Sequence, residues 1–127
     1  WLLDRTQIYF SVSHYGWLYL FFSGFVALFI HDTYFYWMHR LVHHPKLFRR
    51  VHQVHHDSNP PTPFAAFSFH WIESILEAFI LPAIVFVVPL HIGVVLFLLV
   101  LMTVTSVINH LGYEIYPVSF RKNKIGK

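Results

Sequence analysis

The chain has 127 residues, 56% of them hydrophobic and only 12% charged, against roughly 25% charged in an ordinary soluble domain; a protein embedded in lipid is expected. It contains no cysteine, which excludes disulfides, thiolate nucleophiles and cysteine-held metals, so any metal must sit on nitrogen and oxygen. The net charge is +3, and its basic residues flank long apolar runs, Arg40, Lys46, Arg49 and Arg50 in one group and Arg121, Lys122, Lys124 and Lys127 in another; that placement suits the cytoplasmic flanks of membrane helices and argues against nucleic-acid binding.

An almost unbroken apolar run from Tyr15 to Ile30 flows without a breaker into HDTYFYWMHRLVHH, predicting one helix over about 15–43 that crosses a bilayer and emerges from it. Pro45 ends it. Residues 46–56 read as a short helix of mixed polarity, and 57–63 as a loop, because Pro60, Pro61 and Pro63 follow Asp-Ser-Asn. Residues 71–89 and 92–110 are each nineteen long, about 28 Å as helix, and predict a transmembrane hairpin, with Pro82 tolerated as a kink. The expected architecture is all-α: a long N-terminal spanning helix, a short cytoplasmic helix bearing histidines, and a membrane hairpin. The whole chain reads as one partial domain, a piece of something longer.

Eight of the nine lysines and arginines lie in 40–50 and 121–127, so both stretches are assigned to the cytoplasmic side. That orientation brings His39, His43, His52, His55, His56, His70 and His110 to one membrane face and sends His91 to the other. His39 and His43 are four apart, so both rings can point at one spot on the helix surface, and His52, His55 and His56 repeat the spacing at three and four. Neutral imidazole is a ligand for iron, zinc or copper that needs no compensating charge. Metal binding is therefore expected at His39, His43, His52, His55 and His56. His44 is turned away from His43 and suits a supporting or surface place, and His14, His31 and His91 are expected to carry no chemistry.

Thr103, Ser106 and His110 form one stripe on the last helix, and polar atoms in a span face protein, which makes His110 a further ligand candidate. Thr103 and Ser106 are either packing or back-bonded groups, and Asn109 either orients a ligand or ends the helix. Asp32, on the His39 face but one and a half to two turns deeper, either accepts the second N–H of a ligating ring or pairs with a nearby polar group. His70, Glu73 and Glu77 form another stripe, with His70 a candidate ligand and Glu73 a candidate support behind a ligand.

Several stretches together resemble the membrane fatty acid hydroxylase superfamily, which includes sterol desaturases and C4-methylsterol oxidases. They are Asp32-Thr-Tyr-Phe-Tyr-Trp-Met-His39-Arg-Leu-Val-His43, then Leu47-Phe-Arg-Arg-Val-His52-Gln-Val-His55-His56, Phe67-Ser-Phe-His70-Trp-Ile-Glu73, and Asn109-His110-Leu-Gly112-Tyr113-Glu114. The resemblance implies a non-haem di-iron centre that uses O₂ to hydroxylate or desaturate a lipid C–H bond, sterol or fatty acyl. Electrons would come from a carrier such as cytochrome b5 or a ferredoxin, and the membrane would be the endoplasmic reticulum or a bacterial inner membrane. Two departures stand out. The family has a further HxxHH box beyond the NHxGY segment that this chain does not reach, and Trp71 stands where the family often has proline. The rival reading is a metal- or haem-binding membrane protein, a transporter or electron carrier without oxygenase activity. A haem carrier needs only two facing histidines, and a transporter places its ligands near the midplane.

Overall fold

The structure, a computed structural model, describes residues 5–58 and 62–111. Gly112, Tyr113, Glu114 and the basic tail from Arg121 to Lys127 lie outside the described residues.

Helix α1 (Gly16–Val42) runs for 27 residues, about 40 Å at the usual rise. Gly16 takes φ 81°, a left-handed value open to glycine, and there turns the preceding 3₁₀ segment (Val12–His14) into the helix. Pro45 closes the run as expected and becomes the first residue of a short α2 (Pro45–Leu47). The predicted single helix over 46–56 is instead α2, a π-helical turn (Phe48–His52) and α3 (Gln53–His56). The Gln53 N–H reaches back to the Phe48 carbonyl, five residues away, and widens that turn. A 3₁₀ segment (Pro63–Phe67) leads to α4 (Trp71–Val87), and α5 (Ile92–Asn109) completes the hairpin. Pro82 sits within α4 as expected.

Two helices, α1 and α5, are long and apolar enough to cross a membrane. Their outer faces carry bare large side chains, with Leu18 86% exposed, Phe25 68% and Val100 63%. A water-soluble domain rarely shows so much contiguous apolar surface, whereas a lipid bilayer covers it. The chain is an all-α membrane protein.

The three long helices pack on a core of Ala27, Ile80, Leu81, Ile84, Val85, Val95 and Leu98. Small residues let α1 approach α5: Ser23 and Ala27 are fully covered, and a Cβ at Gly24 would stand 3.3 Å from the Val94 side chain. At the hairpin tip the chain forms a pairing that the hydrophobic pattern did not signal. Ile8–Tyr9 (β1) lies parallel to Leu90–His91 (β2), and the Gln7 N–H donates to the Val85 carbonyl at 2.7 Å. Two-residue strands are too short for an alternating pattern to show.

The opposite end positions the site. There the C-terminal turns of α1, the start of α4 and the turn between α2 and α3 meet over a second apolar cluster, Met38, Val42 and Val51, with Tyr34, Ile72 and Leu76 beside it, and the end of α5 reaches α3 through His110 and His55. The Tyr34 hydroxyl donates to the Leu76 carbonyl at 2.8 Å and ties α1 to α4 just beneath the histidines.

Candidate metal centre

Four imidazoles from two helical pairs converge there. His43 Nε2 lies 3.1 Å from His39 Nε2 and 3.1 Å from His52 Nε2, and His52 Nε2 lies 3.0 Å from His56 Nε2. The ligand atoms of His39, His43 and His52 all fall within 4.8 Å of one another. Nitrogens at right angles on metal bonds of about 2.1 Å stand about 3 Å apart, so the spacing is that of neighbouring ligands on one ion. The donor set, nitrogen without sulfur, suits iron, zinc or copper.

The HxxHH pattern divides its rings between two partners. His52 and His56 are four apart and face α1. His55 is turned away from them, and its Nε2 lies 3.0 Å from His110 Nε2 on α5. His110 Nδ1 donates to the Ser106 carbonyl at 2.7 Å, which leaves its Nε2 as a lone pair pointing at His55. The Thr103 hydroxyl is back-bonded to the Leu99 carbonyl at 2.8 Å, so the stripe on α5 contributes His110 through backbone support. The His52 and His55 ring centroids are 5.3 Å apart, so α3 is a wall shared by both groups.

Burial sets the protonation of this wall. It pushes His52 down to about 3, with the imidazoles of His39, His43, His56 and His55 adding to the effect. His55 is likewise held below its ordinary value, first by burial and then by His110, against an opposing contribution from the Ser68 backbone. Both rings are neutral at pH 7, the form that ligates metal. Glu73 is fully buried and its carboxyl group meets His52 Nδ1, so when Nε2 takes a metal, Nδ1 carries the proton and donates it to Glu73.

Among the described residues, the buried His39 Nδ1 and His55 Nδ1 meet no hydrogen-bond partner at full geometry, His55 having only its interaction with the Ser68 backbone. His39 instead lies on Phe35 (centroids 5.7 Å apart, planes at 17°), and His55 on Phe69 (4.8 Å, 14°). Phe48 touches three ligand candidates, with its ring 5.7 Å from His43, 5.9 Å from His52 and 5.4 Å from His56. Sequence reading missed these phenylalanines. Phe35 and Phe48 carried a usable signal, each standing four residues before a histidine, while Phe69 sits in a loop and carried none.

The remaining candidates fall elsewhere. His70 is the N-cap of α4, its Nδ1 accepting the Ile72 N–H at 3.4 Å; it stands outside both groups and has only Nε2 to offer a metal. Asp32 is 70% exposed at its side chain and pairs with His31 at 3.0 Å, the second of its two expected roles. Asn109 is exposed at the last position of α5. His44 and His91 serve as helix caps, accepting from the Lys46 and Gly93 N–H groups.

Fold and site together define an all-α membrane protein whose helix ends gather histidines at metal-ligand spacing. The fatty acid hydroxylase family model matches residues 24–126, and the chain belongs to that family. It is 39% identical over 106 residues to the lathosterol oxidase of Rattus norvegicus, covering 84% of this chain and 36% of that protein. It is 31% identical over 108 residues to a Delta(7)-sterol 5(6)-desaturase of Gibberella zeae, covering 85% and 33% respectively. The human lathosterol oxidase is 38% identical over 85 residues, 67% of this chain and 28% of its own length. The chain thus spans about a third of the length of these relatives. No solved structure matches it.

Proposed function

We propose that this chain is the metal-holding part of a membrane-bound non-haem di-iron oxidoreductase that uses O₂ to hydroxylate or desaturate a lipid C–H bond, in a sterol or a fatty acyl chain. The observation that carries the reading is the convergence of the His39, His43, His52 and His56 Nε2 atoms, with the His55 and His110 pair on the far side of the same wall. Membership of the fatty acid hydroxylase family and the sterol-oxidising names of the relatives support it.

His39, His43, His52 and His56 would hold one iron, and His55 and His110 would contribute to a second, together with residues beyond this chain. Bound iron supplies the O₂ activation that side chains alone lack. Glu73 keeps the proton on His52 Nδ1 and Ser106 keeps it on His110 Nδ1, so both rings present a lone pair at Nε2. Phe35, Phe48 and Phe69 fix the other rings and exclude water from them. The lipid reaches the site from the bilayer, electrons come from a carrier such as cytochrome b5 or a ferredoxin, and the cluster faces the cytoplasm in an endoplasmic reticulum or bacterial inner membrane. A haem carrier fits poorly, because Nε2 atoms 3.0–3.1 Å apart leave no space for a porphyrin between them. A transporter fits poorly too, because the ligands gather at helix ends and not at mid-span.

The test is iron content of the purified full-length protein. His56→Ala and His55→Ala should each lower the iron bound, and the double variant should lower it further. Wild-type stoichiometry in the double variant would reject both positions.

A further inference from the structure

His31 and Asp32 stand outside the metal centre, yet a row of contacts joins them to one of its rings. His31 lies inside α1, a helix long and apolar enough to cross a membrane. It precedes His39 by eight residues, about 12 Å of helix. An imidazole within such a helix is costly unless something holds it. The holder is Asp32: His31 Nδ1 donates to Asp32 Oδ1 at 3.0 Å, with the imidazole side chain 15% exposed and the carboxyl side chain 70%.

The His31 ring lies nearly parallel to that of Phe35, with centroids 6.1 Å apart and planes at 14°, and Phe35 lies nearly parallel to His39, at 5.7 Å and 17°. The three residues follow one another at steps of four, so one row of α1 carries a column of rings whose far end is a ligand candidate. We infer that His31, held by Asp32, is a positioning residue for His39: it sets the plane of Phe35, and Phe35 sets the plane of His39.

The surroundings of His39 show why it needs such a column. A ligating imidazole is ordinarily oriented by a hydrogen bond at its second nitrogen. His52 has Glu73 in that place and His110 has the Ser106 carbonyl, whereas His39 Nδ1 is buried and meets no partner among the described residues. The outer torsion of an aromatic side chain is soft, so Phe35 by itself leaves the His39 plane loosely set. His31 differs from a further phenylalanine in one respect. Its Nδ1–H is tied to an acceptor on the next residue, which fixes the ring at the base of the column. The inference rests on metal binding at His39 in the proposed function.

The experiment uses the full-length protein, stripped of iron and loaded with cobalt(II), and reads the ligand-field absorption bands and the cobalt affinity. His31→Ala and Asp32→Ala should each shift the bands, and loss of the His31 ring should weaken cobalt binding by about two- to tenfold, the worth of one aromatic contact. Asp32→Asn keeps an oxygen acceptor for Nδ1 and should show the wild-type bands. In a Phe35→Ala background, adding His31→Ala should change the bands no further, because the link to His39 is already cut. Asp32 is exposed at its side chain, so Asp32→Ala tests the column even where the ring truncations fail to fold. Wild-type bands in Asp32→Ala, or effects of His31→Ala and Phe35→Ala that simply add, would overturn the column and leave metal binding standing. A wild type that takes up no cobalt would overturn the metal centre itself, and the column with it.

Discussion

Replacing Glu73 by glutamine should weaken metal binding while leaving metal-free stability close to that of wild type. One carboxyl oxygen of Glu73 meets His52 Nδ1, and the other, Oε2, is buried with no hydrogen-bond partner among the described residues. A buried polar atom left without a partner costs about 1–3 kcal/mol, more when it is charged. An amide of the same shape keeps an acceptor for His52 and cannot ionise, which offsets the unpartnered NH₂ it puts where Oε2 stood, so metal-free Glu73→Gln should unfold at about the same temperature as wild type. With metal, the substitution is felt. A weaker acceptor behind a ligating imidazole lowers its basicity, and loss of such a partner typically costs about 10–100-fold in affinity, or about 1.4–2.7 kcal/mol. At saturating iron the same amount is lost from the metal-linked stability of the folded state. Chelator competition on the full-length protein measures the affinity, and thermal unfolding with and without iron measures the two stabilities. Wild-type iron affinity in Glu73→Gln would refute the role of Glu73 behind His52, and equal destabilisation of both forms would reduce it to a packing group.

Lowering the pH should remove the part of the metal-free protein's stability that a neutral His52 supplies. His52 stays neutral in the folded state down to about 3, whereas an unfolded histidine takes a proton near pH 6.5, as a rough reference. Between those values the unfolded state binds more protons at this position, so the His52 contribution is fully present above about pH 6.5 and is lost as the pH drops toward 3; the stability of wild type relative to His52→Asn should therefore fall from pH 7.5 through 6 to 5, and a difference independent of pH would refute it. Phe48→Ala removes a ring shared by three ligand candidates and should weaken iron binding and alter the absorption spectrum of a cobalt-substituted protein; an unchanged spectrum would show that the ring does not orient them. Gly24→Leu puts a branched side chain where a Cβ alone already approaches Val94 to 3.3 Å, and overpacking of this kind costs about 1–3 kcal/mol, readable as a lower thermal midpoint with the ligands untouched.

The sequence by itself determined two of the three expected spans, α1 and α5, and the identity of the ligand candidates; α4 forms where a third span was expected but is 17 residues long and is not among the helices long and apolar enough to cross. Long apolar runs have one outcome in a bilayer, because every backbone group must be satisfied within the segment, and α1 and α5 came out within a residue of their expected limits. Histidines three and four apart on a helix share a face by geometry alone, which made the grouping of His39 with His43 and of His52 with His56 readable in advance. The tertiary structure decided which groups pair across the chain. The HxxHH spacing does not say that His55 leaves its neighbours for His110, 55 residues away. A stripe of His70, Glu73 and Glu77 does not say that Glu73 reaches His52 while His70 caps a helix. Those choices depend on the rotation of α3 after its π turn and on how α4 and α5 stand against it. Helix rotation is set by side-chain packing among Met38, Val42, Val51, Ile72 and Leu76, contacts between residues far apart in sequence that no local periodicity encodes.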